Sequence, residues 1–125
     1  MKGYDQTKGQ ITGILSPLLE KIRLNKVLKW VKGKRILDYG CGYGKLAEFL
    51  AEKEYIGVDA NEEIVRKARK IHVNKKNVKF YTLEEFKNIN ETNFDTVVLA
   101  AVIEHIENPL ELLLTLKGFL AKEEG

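Results

Sequence analysis

The sequence predicts an α/β fold built on a parallel sheet, and three observations carry that prediction. Short apolar runs alternate with amphipathic segments four times between Arg35 and Lys117, the pattern of parallel strands joined by right-handed helical crossovers. The first apolar run ends in an acid and breaks into glycines on alternate positions, Asp38-Tyr-Gly40-Cys-Gly42-Tyr-Gly44. The second, Tyr55-Ile-Gly-Val, ends in another acid, Asp59. Ligands in such sheets bind beyond the carboxyl ends of the strands, where these residues fall.

Residues 1–15 are polar with scattered glycines and read as an arm or lid. Ser16-Pro17 gives a cap with proline in the first turn, followed by an apolar stripe of Leu18, Leu19, Ile22, Val27 and Leu28. Trp30 reads as a packing residue of that helix, which Gly33 closes near Val31. The domain division is therefore an N-terminal arm and helix at 1–33 and an α/β domain at 34–125.

Arg35 to Tyr39 is the first strand, apolar enough to be buried on both faces. A helix is expected from about Tyr43 to Lys53, with Leu46, Phe49 and Leu50 toward the sheet. After the strand at 55–58, Asn61 caps a helix whose inner face is Ile64, Val65, Ala68 and Ile71, with Glu62 and Glu63 in its first turn. His72 follows its end and reads as a surface or capping residue.

Val78 to Thr82 is the third strand, followed by an acidic turn, Leu83-Glu84-Glu85-Phe86. Phe94 to Ala100 is the fourth and the most β-branched. Asn108-Pro109 opens a leucine-rich helix, with Glu111 at the capping-box position.

Composition narrows the function classes. At 125 residues the chain is one modest domain, and its net charge of +3 shows no dense basic stripe that would demand a nucleic acid. The single cysteine, Cys41, rules out an internal disulfide and a paired-cysteine metal site, so a cytoplasmic setting is the default. No metal is expected, and no apolar run reaches the roughly 20 residues of a bilayer span.

The glycine spacing separates two cofactor classes. A dinucleotide fingerprint runs G-x-G-x-x-G and presents a helix N-terminus to a pyrophosphate. Here the spacing is Gly40-x-Gly42-x-Gly44, and Asp38 before the turn would oppose a pyrophosphate. A carboxylate there is compatible with the amino group and sulfonium of S-adenosylmethionine. Asp59 is placed for a ribose.

These residues resemble a known family. Asp38 to Gly44 is similar to the first motif of class I S-adenosylmethionine-dependent methyltransferases, acid-x-G-x-G-x-G. Gly57-Val-Asp59 resembles their second-strand motif, and Phe94-Asp-Thr-Val-Val through Val102-Ile-Glu-His-Ile106 the fourth-strand region of the small-molecule branch. The likeness spans roughly residues 34–120.

The resemblance implies a Rossmann-like doubly wound sheet with helices on both faces and strand order 3-2-1-4. It also implies S-adenosyl-L-methionine as cofactor and methyl transfer to an acceptor, most simply a small molecule. A protein or nucleic-acid acceptor is left open. Carried across, Gly40, Cys41, Gly42 and Gly44 would bring backbone to the methionine and ribose. Asp38 would meet the amino group, Asp59 the ribose hydroxyls, with Ala60 and Ala100 beside them and Glu84 toward the adenine amine. The glycine usual before that last acid is Leu83 here.

Glu104-His105 would stand at the pocket mouth, where His105 could take a proton from the acceptor. The family has seven strands and only four are countable here, so the sheet is expected to be incomplete, by truncation or by completion from another subunit. An uncovered fourth strand would favour homo-oligomerisation through its edge. The competing reading is a non-catalytic module of the same fold that binds the cofactor or a partner protein.

Overall fold

A computed structural model describes residues 22, 24–99 and 108–121 of the chain. Residues 24–30 are helical and belong to a unit separate from residues 31–125. Trp30, expected as a packing residue of that helix, is 75% exposed.

Within residues 31–125, four parallel strands form one sheet in the order β3-β2-β1-β4. They are β1 (Arg35–Tyr39), β2 (Glu54–Asp59), β3 (Val78–Thr82) and β4 (Thr96–Val98). Register pairs Asp38 with Gly57 and with Val98, and Asp59 with Thr82, so the strand ends line up along one edge. The helices are α1 (Glu62–Ile71), α2 (Leu83–Lys87) and α3 (Pro109–Lys117), and a 3-10 helix spans Lys45–Phe49.

Alternation along the strands sends side chains to two packed layers. One face gathers Leu37, Ile56 and Val58 with Phe86 of α2 and with Phe94, and Phe119 packs against them. On the other, Tyr55 meets Phe80 edge-on with centroids 5.6 Å apart, and the His72 ring lies 5.2 Å from Phe80. Val65 and Ala68 are the buried residues of α1. Both faces of the two inner strands are thus covered, as their continuous apolar sequence requires.

Local chemistry explains the helix starts. The Asn61 side chain accepts from the amides of Glu63 and Ile64. Thr82 and Glu85 form a reciprocal capping box that turns the expected acidic turn into the short helix α2. Asn108 accepts from the Glu111 amide and opens α3.

Three further expectations need correction. The helix foreseen over Tyr43 to Lys53 is instead the five-residue 3-10 helix. Its N-cap, Gly44, is left-handed and offers no side-chain acceptor, so the segment closes with tighter bonds: Ala47 N to Gly44 O, Leu50 N to Ala47 O and Lys53 N to Leu50 O. Leu46, Ala47 and Leu50 are buried there, while Phe49 is exposed. Ile71, expected on the inner face of α1, is exposed because it is the helix's last residue.

The fourth strand is confined to Thr96–Val98, since Asp95 bends away to clasp the start of β1. Its Oδ2 accepts from the amides of Lys34 and Arg35 at 2.7 and 2.9 Å. Phe94 forms a parallel bridge with Leu120 instead, through Phe94 N to Phe119 O at 2.9 Å and Ala121 N to Phe94 O at 2.8 Å. A first rung is thereby added outside β4.

Candidate functional site

The loop after β1 crosses over the end of β2 and is held there by main-chain bonds. The amides of Gly40 and Cys41 both donate to Val58 O, at 2.7 and 3.0 Å. Gly42 N donates to Asp59 Oδ2 at 3.0 Å, and Asn61 N donates to Asp59 Oδ1 at 3.0 Å. Asp59 therefore ties the glycine loop to the start of α1. Each of its oxygens keeps a further lone pair for a ligand hydroxyl.

A crevice of about 260 Å³ lies at this edge, lined by Tyr39, Gly40, Gly42, Val58, Asp59, Ala60 and Leu83. Ala60 and Leu83 also border a wider one of about 620 Å³, which Glu84 lines with Asn61, Arg66, Thr82 and Lys87. The two share a wall, so one elongated ligand could extend from Gly42 past Ala60 toward Glu84. Gly42 faces open space: a Cβ built there meets nothing within 4 Å.

Asp38 sits beneath the loop, 6% exposed, and its Oδ2 accepts from the Tyr55 hydroxyl at 2.6 Å. Its pKa is raised from 3.8 to about 6: burial drives the rise, the Tyr55 bond opposes it, and the nearby Asp59 carboxylate adds to it. The same surroundings push the Tyr55 hydroxyl well up, first by burial and then by the Asp38 charge. Burial and the charges of Asp38 and Asp59 also raise the Cys41 thiol, which stays protonated and unreactive at neutral pH.

This electrostatic setting tests the cofactor. Two carboxylates against bare backbone suit a ligand bearing positive charge and vicinal hydroxyls, and oppose a pyrophosphate. The cradle in front of Gly42 gives room for such a ligand. The residues present therefore fit S-adenosylmethionine. Among the described residues, no group of three or more His, Cys, Asp or Glu is placed to hold a metal ion.

The structure thus gathers Asp38, Gly40, Cys41, Gly42, Gly44, Asp59 and Ala60 around one loop, and sets Glu84 along the adjoining crevice. Ala100, Glu104 and His105 lie outside the described residues. Tyr39 and Leu83 line the crevice without having been anticipated. Their signal was positional, for each stands at the carboxyl end of a strand.

His72, read as a surface or capping residue, caps α1, its amide donating to Ala68 O. It does not lie at the surface: the residue is 4% exposed, and its ring reaches back to Tyr43 O in the glycine loop, 2.9 Å from Nε2.

Comparison with known proteins agrees with this geometry. A ubiquinone biosynthesis O-methyltransferase of Aliivibrio fischeri is 32% identical over 114 residues, covering 82% of this chain and 48% of that relative. The chain spans about half the length of the curated relatives it matches. A SAM-dependent methyltransferase from Aquifex aeolicus superposes with a TM-score of 0.64 at 26% identity, over 78% of this chain and 58% of that one. Coclaurine N-methyltransferase, solved with N-methylheliamine and SAH, superposes with a TM-score of 0.69 over 82% of this chain and 33% of its own. At 19% identity it speaks for the fold alone.

The family model for a methyltransferase domain matches residues 10–125, and the chain belongs to that family.

Proposed function

We propose that this domain binds S-adenosyl-L-methionine in the crevice between the glycine loop and Asp59, and that the protein transfers its methyl group to a small-molecule acceptor. The observation that carries the reading is the position of Asp59, which grips Gly42 N while facing the crevice with its remaining lone pairs. In this reading Asp59 accepts from the ribose hydroxyls, with bonds worth about 1.5–3 kcal/mol each because the acceptor is charged. Asp38 faces the amino group, Ala60 and Leu83 flank the adenine, and Glu84 accepts from its amine.

The bound cofactor supplies an electrophilic methyl group on a sulfonium. The chain's own residues bind, orient and exclude water, so that alignment provides much of the acceleration. His105 takes the acceptor's proton, with Glu104 beside it in sequence, the role their place in the resembling motif implies. The O-methyltransferase relatives favour an oxygen acceptor. A cytoplasmic setting follows from the single cysteine, and a homo-oligomer through the β4 edge is the partner reading.

A radiolabelled methyl-transfer screen against phenols, amines and thiols tests the activity. Labelling of a phenol, slowed by His105→Ala with unchanged affinity for S-adenosylhomocysteine, is the expected result. Unchanged turnover in that variant would remove His105 from the chemistry.

A further inference from the structure

The glycine loop is held at two neighbouring points. Asp59, which lines the crevice, takes the amide of Gly42, and His72 meets the carbonyl of the next residue, Tyr43. We propose that His72 is a positioning residue of the cofactor loop, its neutral imidazole clamping the Tyr43–Gly44 peptide so that the Gly42 backbone stays open to ligand. The proposal rests on the cofactor reading above and adds to it the device that fixes the loop's shape.

The hydrogen-bond partners leave one protonation state. Tyr43 O is an acceptor only, so Nε2 must carry the proton that it receives. The other nitrogen, Nδ1, lies 2.7 Å from the ammonium of Lys75, which has only protons to give. Nδ1 must therefore be bare. A cationic ring would set an N–H against that ammonium, and the other neutral tautomer would lose both bonds at once. Lys75 thus selects the tautomer that clamps the loop.

Packing makes the clamp stiff. The His72 ring is tilted on Phe80 at 5.2 Å. Gly44 is pressed against the same two rings: a Cβ there would lie 2.5 Å from Phe80 Cζ and 2.9 Å from His72 Nε2. Main chain, imidazole and phenyl ring are thus in direct contact, and the loop cannot sink toward β3. The Tyr43 side chain is half exposed, so only its carbonyl is held inward.

Three measurements on the whole chain test this. In the wild type, ¹⁵N shifts of the imidazole should show the pure Nε2–H tautomer at neutral pH; a cationic ring or the Nδ1–H form would overturn the proposal. In ligand-free His72→Phe, which keeps a ring against Phe80, the amides of Gly42 and Gly44 should exchange with solvent at least tenfold faster while that of Ile56 does not change. His72→Gln, with a donor of similar reach, should restore slow exchange. Equal exchange in the wild type and the Phe variant would sink the clamp.

If the Phe variant does not fold, His72→Asn, whose shorter side chain does not reach Tyr43 O, decides. Faster exchange at Gly42 and Gly44 supports the clamp, and exchange equal to that of the wild type refutes it. S-adenosylhomocysteine should bind His72→Phe at least tenfold more weakly than the wild type, with Gln near wild type. A wild type that binds no S-adenosylhomocysteine would defeat the cofactor reading while leaving the exchange comparison to judge the clamp.

Discussion

The Tyr55 hydroxyl donates to Asp38 Oδ2 at 2.6 Å beneath the glycine loop, and both residues are buried. That single bond is the dedicated support of an acid that the fold otherwise penalises. Desolvation and the Asp59 charge outweigh it, leaving the Asp38 pKa at about 6. The site therefore stores an unfavourable negative charge where a cationic group of the ligand would come.

A stability prediction follows from the direction of that shift. The native state holds the Asp38 proton more tightly than the unfolded chain, so it binds more protons between pH 3.8 and about 6. Stability falls as pH rises through that window, by about 3 kcal/mol at most. Asp38→Asn keeps an acceptor for Tyr55 and removes the charge. Urea unfolding should find the variant more stable than the wild type at pH 7.5, with the gap closing below about pH 4. Equal stability at pH 7.5 would show that the charge is not under strain.

Ligand affinity should run the opposite way with pH. The amino group of the cofactor favours ionised Asp38, so binding strengthens as pH rises through about 6 and then levels off. From pH 5 to pH 7 the dissociation constant for S-adenosylhomocysteine should fall about tenfold. In Asp38→Asn this dependence should vanish. A wild-type curve that is flat over the same range would argue against an ionised Asp38 in the complex.

Two glycines of one loop should fail differently. Both have positive φ, +57° at Gly42 and +81° at Gly44, so alanine at either costs about 1–2 kcal/mol of left-handed strain. At Gly42 the added methyl meets no atom, but it stands in the crevice. Gly42→Ala should fold with only that modest cost and lose most cofactor affinity. At Gly44 the methyl would strike the Phe80 ring at 2.5 Å, so Gly44→Ala should lose several kcal/mol more of stability. Thermal unfolding and calorimetry on the pair check this; a Gly42→Ala that binds normally would move the ligand elsewhere.

What the sequence could reveal depended on the range of the interaction. The glycine turn, the acids closing β1 and β2, and the Asn61, Thr82 and Asn108 caps are local patterns. The fold places all of these as read except the Thr82 cap, which converts the expected acidic turn into α2. The 3-10 helix was hidden because Leu46 and Leu50 also satisfy α-helical spacing, and only the uncapped, left-handed Gly44 tips the balance.

His72 was hidden for a different reason. Its sequence neighbours Ile71 and Val73 are exposed, yet its ring reaches 29 positions back to Tyr43. The Asp95 clasp on β1, 60 positions away, has the same character. Asp38 and Asp59 could be named as ligand acids, but that one rests on Tyr55 and the other on Gly42 and Asn61 emerged only with the fold.

The most direct measurement is a calorimetric titration of S-adenosylhomocysteine into the wild-type chain and into Asp59→Ala. The account predicts saturable one-to-one binding to the wild type and at least tenfold weaker binding to the variant, which loses the ribose contact and the Gly42 and Asn61 amide acceptor together. No heat of binding with the wild type, or equal affinity in a folded Asp59→Ala, would contradict it.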